Sequence, residues 1–69
     1  MKPLQKKWLS DIGRTETGKL AMHVNSTADG NALQALLDAK LIKIETAFDG
    51  GLFLTVITDA GRSALESVG

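Results

Sequence analysis

Residues 36–65 read LLDAKLIKIETAFDGGLFLTVITDAGRSAL and decide the fold. The stretch opens on the apolar end of a helix and passes at Ile42 into strand-forming residues that run to Phe48. The next three residues, Asp-Gly-Gly, are typical of a hairpin turn, because such turns need positive φ and glycine adopts it without steric cost. A second apolar run, Leu52–Ile57, follows, and Thr58 with an acid directly after it predicts a helix start. The stretch therefore predicts a helix, a hairpin and a second helix.

The two predicted strands of this hairpin have different patterns. In residues 42–48, Ile42, Ile44 and Phe48 alternate with residues that include Lys43 and Glu45, which predicts a half-buried strand. The second strand, residues 52–57, is apolar on both faces. We expect it to be the more buried of the two and to be covered by helices on one side.

The first forty residues predict further helices. Leu4, Trp8 and Ile12 recur every four residues, which indicates a helix over residues 3–12 with Trp8 as a core anchor. Thr27 is expected to cap a helix over residues 28–39. The buried face of that helix is expected to hold Leu33, Leu36 and Leu37.

Residues 15–24, TETGKLAMHV, fit two different structures. Leu20, Met22 and Val24 recur every second residue, which favours a strand. Leu20, Ala21 and Val24 also fit one face of a helix. The residues themselves leave both alternatives open for positions 19–24.

The segments ALQALLDAKLIKIE and GLFLTVITDAGRSAL resemble the winged-helix transcription regulators. In that family a recognition helix ends in a Gly-Leu-Ile/Val turn, a wing hairpin follows, and Leu-Thr-acid-Ala/Glu-Gly-Arg opens the next helix. Residues 40–42, Lys-Leu-Ile, match the first signature except that Lys40 replaces the glycine. Residues 57–62, Ile-Thr-Asp-Ala-Gly-Arg, match the second. The resemblance covers residues 28–66 and, more loosely, residues 15–27.

This resemblance implies an α+β fold, a small winged helix over residues 1–69 as a single domain. It would contain three helices, a two- or three-stranded antiparallel wing and a C-terminal helix. The resemblance also favours a helix for residues 15–24, as the first helix of a helix-turn-helix whose turn is Asn25-Ser26-Thr27. A strand there would leave the helix-turn-helix incomplete.

Winged helices most often bind double-stranded DNA, so the resemblance implies a small transcriptional regulator or a phage-type accessory factor. The candidate DNA-binding residues are Asn31, Gln34, Asp38, Lys19, Lys40 and Lys43. Asparagine and glutamine can pair with adenine, an aspartate can accept from cytosine, and lysines can contact phosphate. The formal net charge is zero, but residues 1–19 hold five of the eight basic and only two of the eight acidic residues. The basic potential therefore belongs to the N-terminal third.

An alternative is a winged-helix module that binds protein, as an adaptor or inhibitor, and does not read DNA. The zero net charge, the small size and the acid at the wing tip, Asp49, favour it. A homodimer is a further expectation, because a small core gains stability from association. The first and last helices are the natural dimerisation surfaces in related regulators.

Catalysis, cofactors and membrane insertion are not expected. His23 is the single histidine and the chain has no cysteine, so we assign no catalytic residue and no metal ligand. No apolar run approaches the roughly 20 residues that a membrane span needs. The lack of cysteine and of a signal-peptide pattern predicts a cytoplasmic location.

Overall fold

The computed structural model describes residues 2–68, which form three helices and a three-stranded sheet. In chain order these are α1 (Pro3–Gly13), β1 (Lys19–His23), α2 (Thr27–Asp38), β2 (Ile42–Phe48), β3 (Leu52–Ile57) and α3 (Asp59–Val68). The sheet is antiparallel, and its strand order is β1-β3-β2. This arrangement is a small winged-helix-like α+β fold, which confirms the predicted fold class.

The helix predicted over residues 15–24 is wrong, and the alternative of a strand is right. β1 pairs with β3 from Lys19 opposite Val56 to His23 opposite Leu52. The physical reason is non-local, because β3 lies between two neighbours and β1 satisfies the backbone groups on the edge that β2 leaves open. As a result, α2 is the one helix between β1 and β2, and residues 2–68 contain no complete helix-turn-helix.

Helix α2 begins one residue earlier than predicted, because Ser26 caps it instead of Thr27. The Ser26 side-chain oxygen accepts a hydrogen bond from the Asp29 backbone N–H at 3.1 Å. Asp29 also lies in the first turn, where its charge suits the helix dipole. The capped start fixes where the chain leaves β1 and enters α2.

The C-terminus of α2 has the hydrogen bonds of a Schellman motif. The Leu41 N–H donates to the Leu36 carbonyl and the Lys40 N–H donates to the Leu37 carbonyl, both at 3.0 Å. Lys40 has φ 60°, the left-handed conformation that this motif requires and that glycine normally supplies. Lys40 therefore has the backbone geometry that a glycine has in this motif.

Strand β2 is far less buried than its alternating pattern predicts. Ile42 is buried, but every other residue of β2 is exposed. The pairing with β3 is irregular between Ile44 and Thr46, so Glu45 is an extra, bulged residue. The bulge breaks the alternation, and Phe48 stands opposite Leu52 on the side of the sheet away from the helices. The predicted turn is confirmed, with positive φ at both glycines of Asp49–Gly51.

The core lies between the helices and one side of the sheet. Trp8 is 6% exposed, which confirms it as a core anchor, and Leu9 and Ile12 of α1 are fully buried. The other buried hydrophobic residues of this cluster are Met22, Leu33, Leu36, Ile42 and Ile57. All three helices pack on this side, so the other side of the sheet has no cover among residues 2–68.

The start of α3 is fastened to the end of α2. The Thr58 hydroxyl donates to the Lys40 carbonyl at 2.7 Å and accepts from the Gly61 N–H at 3.0 Å. A Cβ atom on Gly61 would overlap the Leu41 carbonyl oxygen, so only glycine fits there. The Thr-Asp-Ala-Gly-Arg signature is thus a structural joint between α2 and α3 at the base of the β2–β3 hairpin.

Candidate interaction surfaces

The predicted recognition residues of α2 all lie on its exposed face. Asn31, Gln34 and Asp38 are exposed, whereas the opposite face of α2 buries residues that include Leu33 and Leu36. The Gln34 amide donates to the Asp38 carboxylate at 2.9 Å. This bond engages one of the two N–H donors of the Gln34 amide in the free protein and holds the two side chains together.

Asn31 lies at the edge of a shallow open cleft between α1 and α2. The cleft has a volume of about 230 Å³, and Lys2, Gln5, Ala28 and Asn31 are among its lining residues. A lysine beside an exposed asparagine is a reasonable contact for a phosphate next to a base edge. In this part of α2 the basic N-terminal segment approaches a predicted reading residue.

Two of the three lysines predicted to contact phosphate lie on the side of the sheet away from α2. Lys19 and Lys43 flank Val56 in the sheet register, on the side opposite to buried Ile42 and Ile57. They point away from the helices, while Lys40 lies at the C-terminus of α2. The candidate DNA-binding set is thus divided between two sides of the molecule.

Lys19 is also partly neutralised. Its ammonium lies 2.9 Å from one carboxylate oxygen of Glu45 and 3.1 Å from the other. Both side chains are more than 40% exposed, so the pair contributes little stability. Its main effect is on charge, since it leaves Lys43 as the cation without an ion pair at this end of the described sheet.

The tip of the hairpin is held against the end of β1. The His23 ring nitrogen Nε2 is 2.8 Å from the Gly50 carbonyl oxygen, and the Val24 N–H donates to the Gly51 carbonyl at 2.9 Å. A Cβ atom on Gly51 would approach the Val24 carbonyl oxygen to 2.8 Å, so the contact needs glycine. The hairpin is therefore short, and hydrogen bonds hold its tip against the end of β1. The tip carries an acidic residue, Asp49.

The uncovered side of the sheet carries an apolar surface that we call the outer apolar patch. Its residues are Ala21, Phe48, Leu52, Leu54 and Val56, which are register partners or alternate positions of adjacent strands. Phe48 is 49% exposed, and the three β3 residues are half-buried and outside the core cluster. Lysines border the patch at one end, and His23 and Asp49 border it at the other.

Sequence reasoning did not select this patch as a site. Its signal was present, because residues 52–57 are apolar on both faces while helices were expected on only one side. An apolar strand face without a helix to cover it is an exposed surface, and large exposed apolar surfaces are often binding sites.

No protein-family model, curated protein or solved structure matches this chain. Membership of the winged-helix regulators therefore stays a prediction. Residues 2–68 include no group of three or more His, Cys, Asp or Glu side chains that could hold a metal ion. Across the same residues, every helix is too short or too polar to cross a membrane.

Proposed function

We propose that this domain is a protein-interaction module whose contact surface is the outer apolar patch. The observation that carries the proposal is the placement of Leu52, Leu54 and Val56 on the side of β3 that no helix covers. In an isolated domain these side chains keep apolar area in water, at a cost of roughly 25 cal/mol for each Å². A partner protein removes that cost.

The size of the patch suits a binding site. Three strands about 4.8 Å apart and six residues of about 3.3 Å each give a face of roughly 15 Å by 20 Å. This area of about 300 Å² for the whole outer side is at the lower end of the range of the largest patches on typical monomers, which are often functional. The Lys19–Glu45 ion pair crosses β3 at Val56, so the patch has a charged border at that end and leaves Leu52, Leu54 and Phe48 as its apolar centre, as in interfaces with an apolar centre and a polar rim.

The charge distribution also favours protein over DNA. Helix α2, Thr27–Asp38, contains no lysine or arginine, and its exposed Gln34 is bonded to Asp38. The hairpin tip presents Asp49, where a phosphate contact needs a cation. The formal net charge of zero supplies no general attraction to a polyanion.

Capture experiments with matched variants test the proposal. The wild-type protein, Leu54→Lys and Gln34→Lys are immobilised and exposed to nuclease-treated lysate of the source organism. Both variants add one positive charge, but only Leu54 lies in the patch. We expect the wild type and Gln34→Lys to retain the same protein and Leu54→Lys to lose it. Retention of one set of proteins by all three would contradict the proposal.

A second candidate is DNA binding as a small transcriptional regulator. The exposed Asn31 beside Lys2, on the helix that directly precedes the hairpin, supports it. An NMR titration with a random duplex at low salt tests it. We expect amide shifts at Asn31, Gln34 and Lys40 that collapse when salt is added. An unchanged spectrum at excess duplex would rule this candidate out.

Under both proposed functions we expect the protein to be in the cytoplasm and to have no catalytic activity. The absence of cysteine supports a reducing compartment. The one histidine, His23, is engaged with the Gly50 carbonyl at the hairpin tip, which supports a structural role. Fractionation of the source cells and localisation of the tagged chain test the compartment.

A further inference from the structure

We propose that the outer apolar patch binds a second copy of this chain, in a two-fold dimer whose sheets stack face to face with antiparallel strands. The inference rests on the proposed use of this patch as a protein-contact surface. It adds the identity of the partner, the orientation of the two copies and the strength of their association.

The surfaces of the terminal helices are already occupied. Gly13 at the end of α1 lies so close to α3 that a Cβ atom there would overlap the Leu65 side chain. Leu9 and Ile12 of α1 are fully buried in the same core, and Leu4, Ala64 and Leu65 are partly buried against it. The expected dimerisation through the first and last helices would therefore use side chains that already pack against the core.

A two-fold axis in the plane of the patch, perpendicular to the strands at Leu54, makes the surface complementary to itself. The axis places each strand over its own counterpart with reversed direction, so residue i faces residue j and j faces i. Leu54 then meets Leu54 of the second copy, and Leu52 meets Val56 of the second copy. The central strand β3 thus buries Leu54 against apolar atoms, and Leu52 meets Val56 beside the Lys19–Glu45 ion pair.

The charges at the ends of β2 select this antiparallel orientation. Lys43 lies near one end of β2, and Asp49 directly follows the other end. Within residues 2–68 neither makes an ion pair, whereas Lys19 is held by Glu45. Reversing the strands sets Lys43 over Phe48 of the second copy, where its long side chain can reach the adjacent Asp49, and symmetry makes that contact twice. A parallel stacking needs an axis along the strands, which would set β2 over β1 of the second copy and bring Lys43 to Lys19 of the second copy.

The area predicts a weak dimer. A face of roughly 15 Å by 20 Å buries about 300 Å² on each copy, less than half of the ~800 Å² of a standard interface. Stacked sheets pack about 10 Å apart, close enough for the leucines to interdigitate. Because the net charge is zero, the copies have no long-range repulsion to overcome. We expect a dissociation constant of about 10–500 µM.

Sedimentation equilibrium between about 10 µM and 1 mM tests the dimer with five variants of the full chain. Leu54→Lys is expected to weaken association more than about tenfold, and its matched control Gln34→Lys to leave it unchanged. Lys43→Asp and Asp49→Lys are each expected to weaken it about tenfold through two lost ion pairs and new repulsions. The double variant K43D/D49K is expected to restore the wild-type constant.

Three results would overturn the inference. A wild-type chain that is monomeric at 1 mM excludes the second copy as partner, and association that Leu54→Lys leaves intact excludes the patch. If the double variant associates as weakly as the single variants, the antiparallel orientation is excluded. Lys43 and Asp49 are both exposed, so these substitutions are not expected to unfold the chain. If the chain is monomeric but still captures a lysate protein through Leu54, the dimer is excluded and the proposed function stands. If neither the capture experiment nor sedimentation shows association, both proposals are excluded.

Discussion

At the scale of single residues, Lys40 holds the least favourable backbone conformation for its side chain. Its φ of 60° costs a non-glycine residue about 1–2 kcal/mol, and its side chain is exposed. We therefore expect Lys40→Gly to raise the free energy of unfolding by about 1 kcal/mol in urea denaturation. Ala39→Gly is the matched control, because Ala39 has φ −79° and glycine there should lower the stability. A Lys40→Gly protein less stable than the wild type would refute this account.

Lys40 also shows what the sequence can predict at this scale. The winged-helix signature that residues 40–42 resemble has glycine at this position, and the lysine there suggested a different helix exit, whereas Lys40 adopts the left-handed conformation all the same. The identity of the cap at the other end of α2 could not be predicted as well. Ser26 and Thr27 both suit an N-cap, and only the geometry that brings the Asp29 N–H to Ser26 distinguishes them.

At the scale of elements, the joint between α2 and α3 depends on one hydroxyl group. Thr58→Ala removes both the cap of α3 and the bond to the Lys40 carbonyl. We expect it to lower the free energy of unfolding by about 1–2 kcal/mol in urea. Thr58→Ser keeps the hydroxyl and should cost less than half as much. Equal losses in the two variants would show that the methyl group, and not the hydrogen bonds, stabilises the joint.

Strand β1 explains why one element was mispredicted. Local spacing in residues 19–24 fits both a helix face and a strand face, so local information does not decide between them. The deciding interactions are with β3, more than thirty residues later in the chain. The buried Thr55 hydroxyl, which donates to the Leu20 carbonyl at 2.8 Å, is one of them. The hairpin was predictable because its turn and both strands are adjacent in sequence.

At the scale of the whole molecule, the candidate site was harder to predict than the fold. The residues chosen for DNA contact are exposed, but the two sides of the sheet separate Lys19 and Lys43 from α2. Sequence spacing does not show which side of a sheet a strand residue takes when a bulge such as that at Glu45 shifts the alternation. The outer apolar patch depends on that shift, since Phe48 follows the bulge.

Because the core lies on one side of the sheet, we expect alanine substitution of a core leucine and of an outer leucine to lower the free energy of unfolding by different amounts. Leu36 is 1% exposed in the core, whereas Leu54 lies on the outer apolar patch. Leu36→Ala should lower the free energy of unfolding by about 3 kcal/mol, a large share of the total for a domain this small. Leu54→Ala should cost about 1 kcal/mol or less in urea denaturation at low micromolar concentration, where the monomer predominates. At millimolar concentration the Leu54→Ala deficit should grow, because wild-type dimerisation adds stability by mass action. Equal losses for both leucines at low concentration would mean that both sides of the sheet are covered.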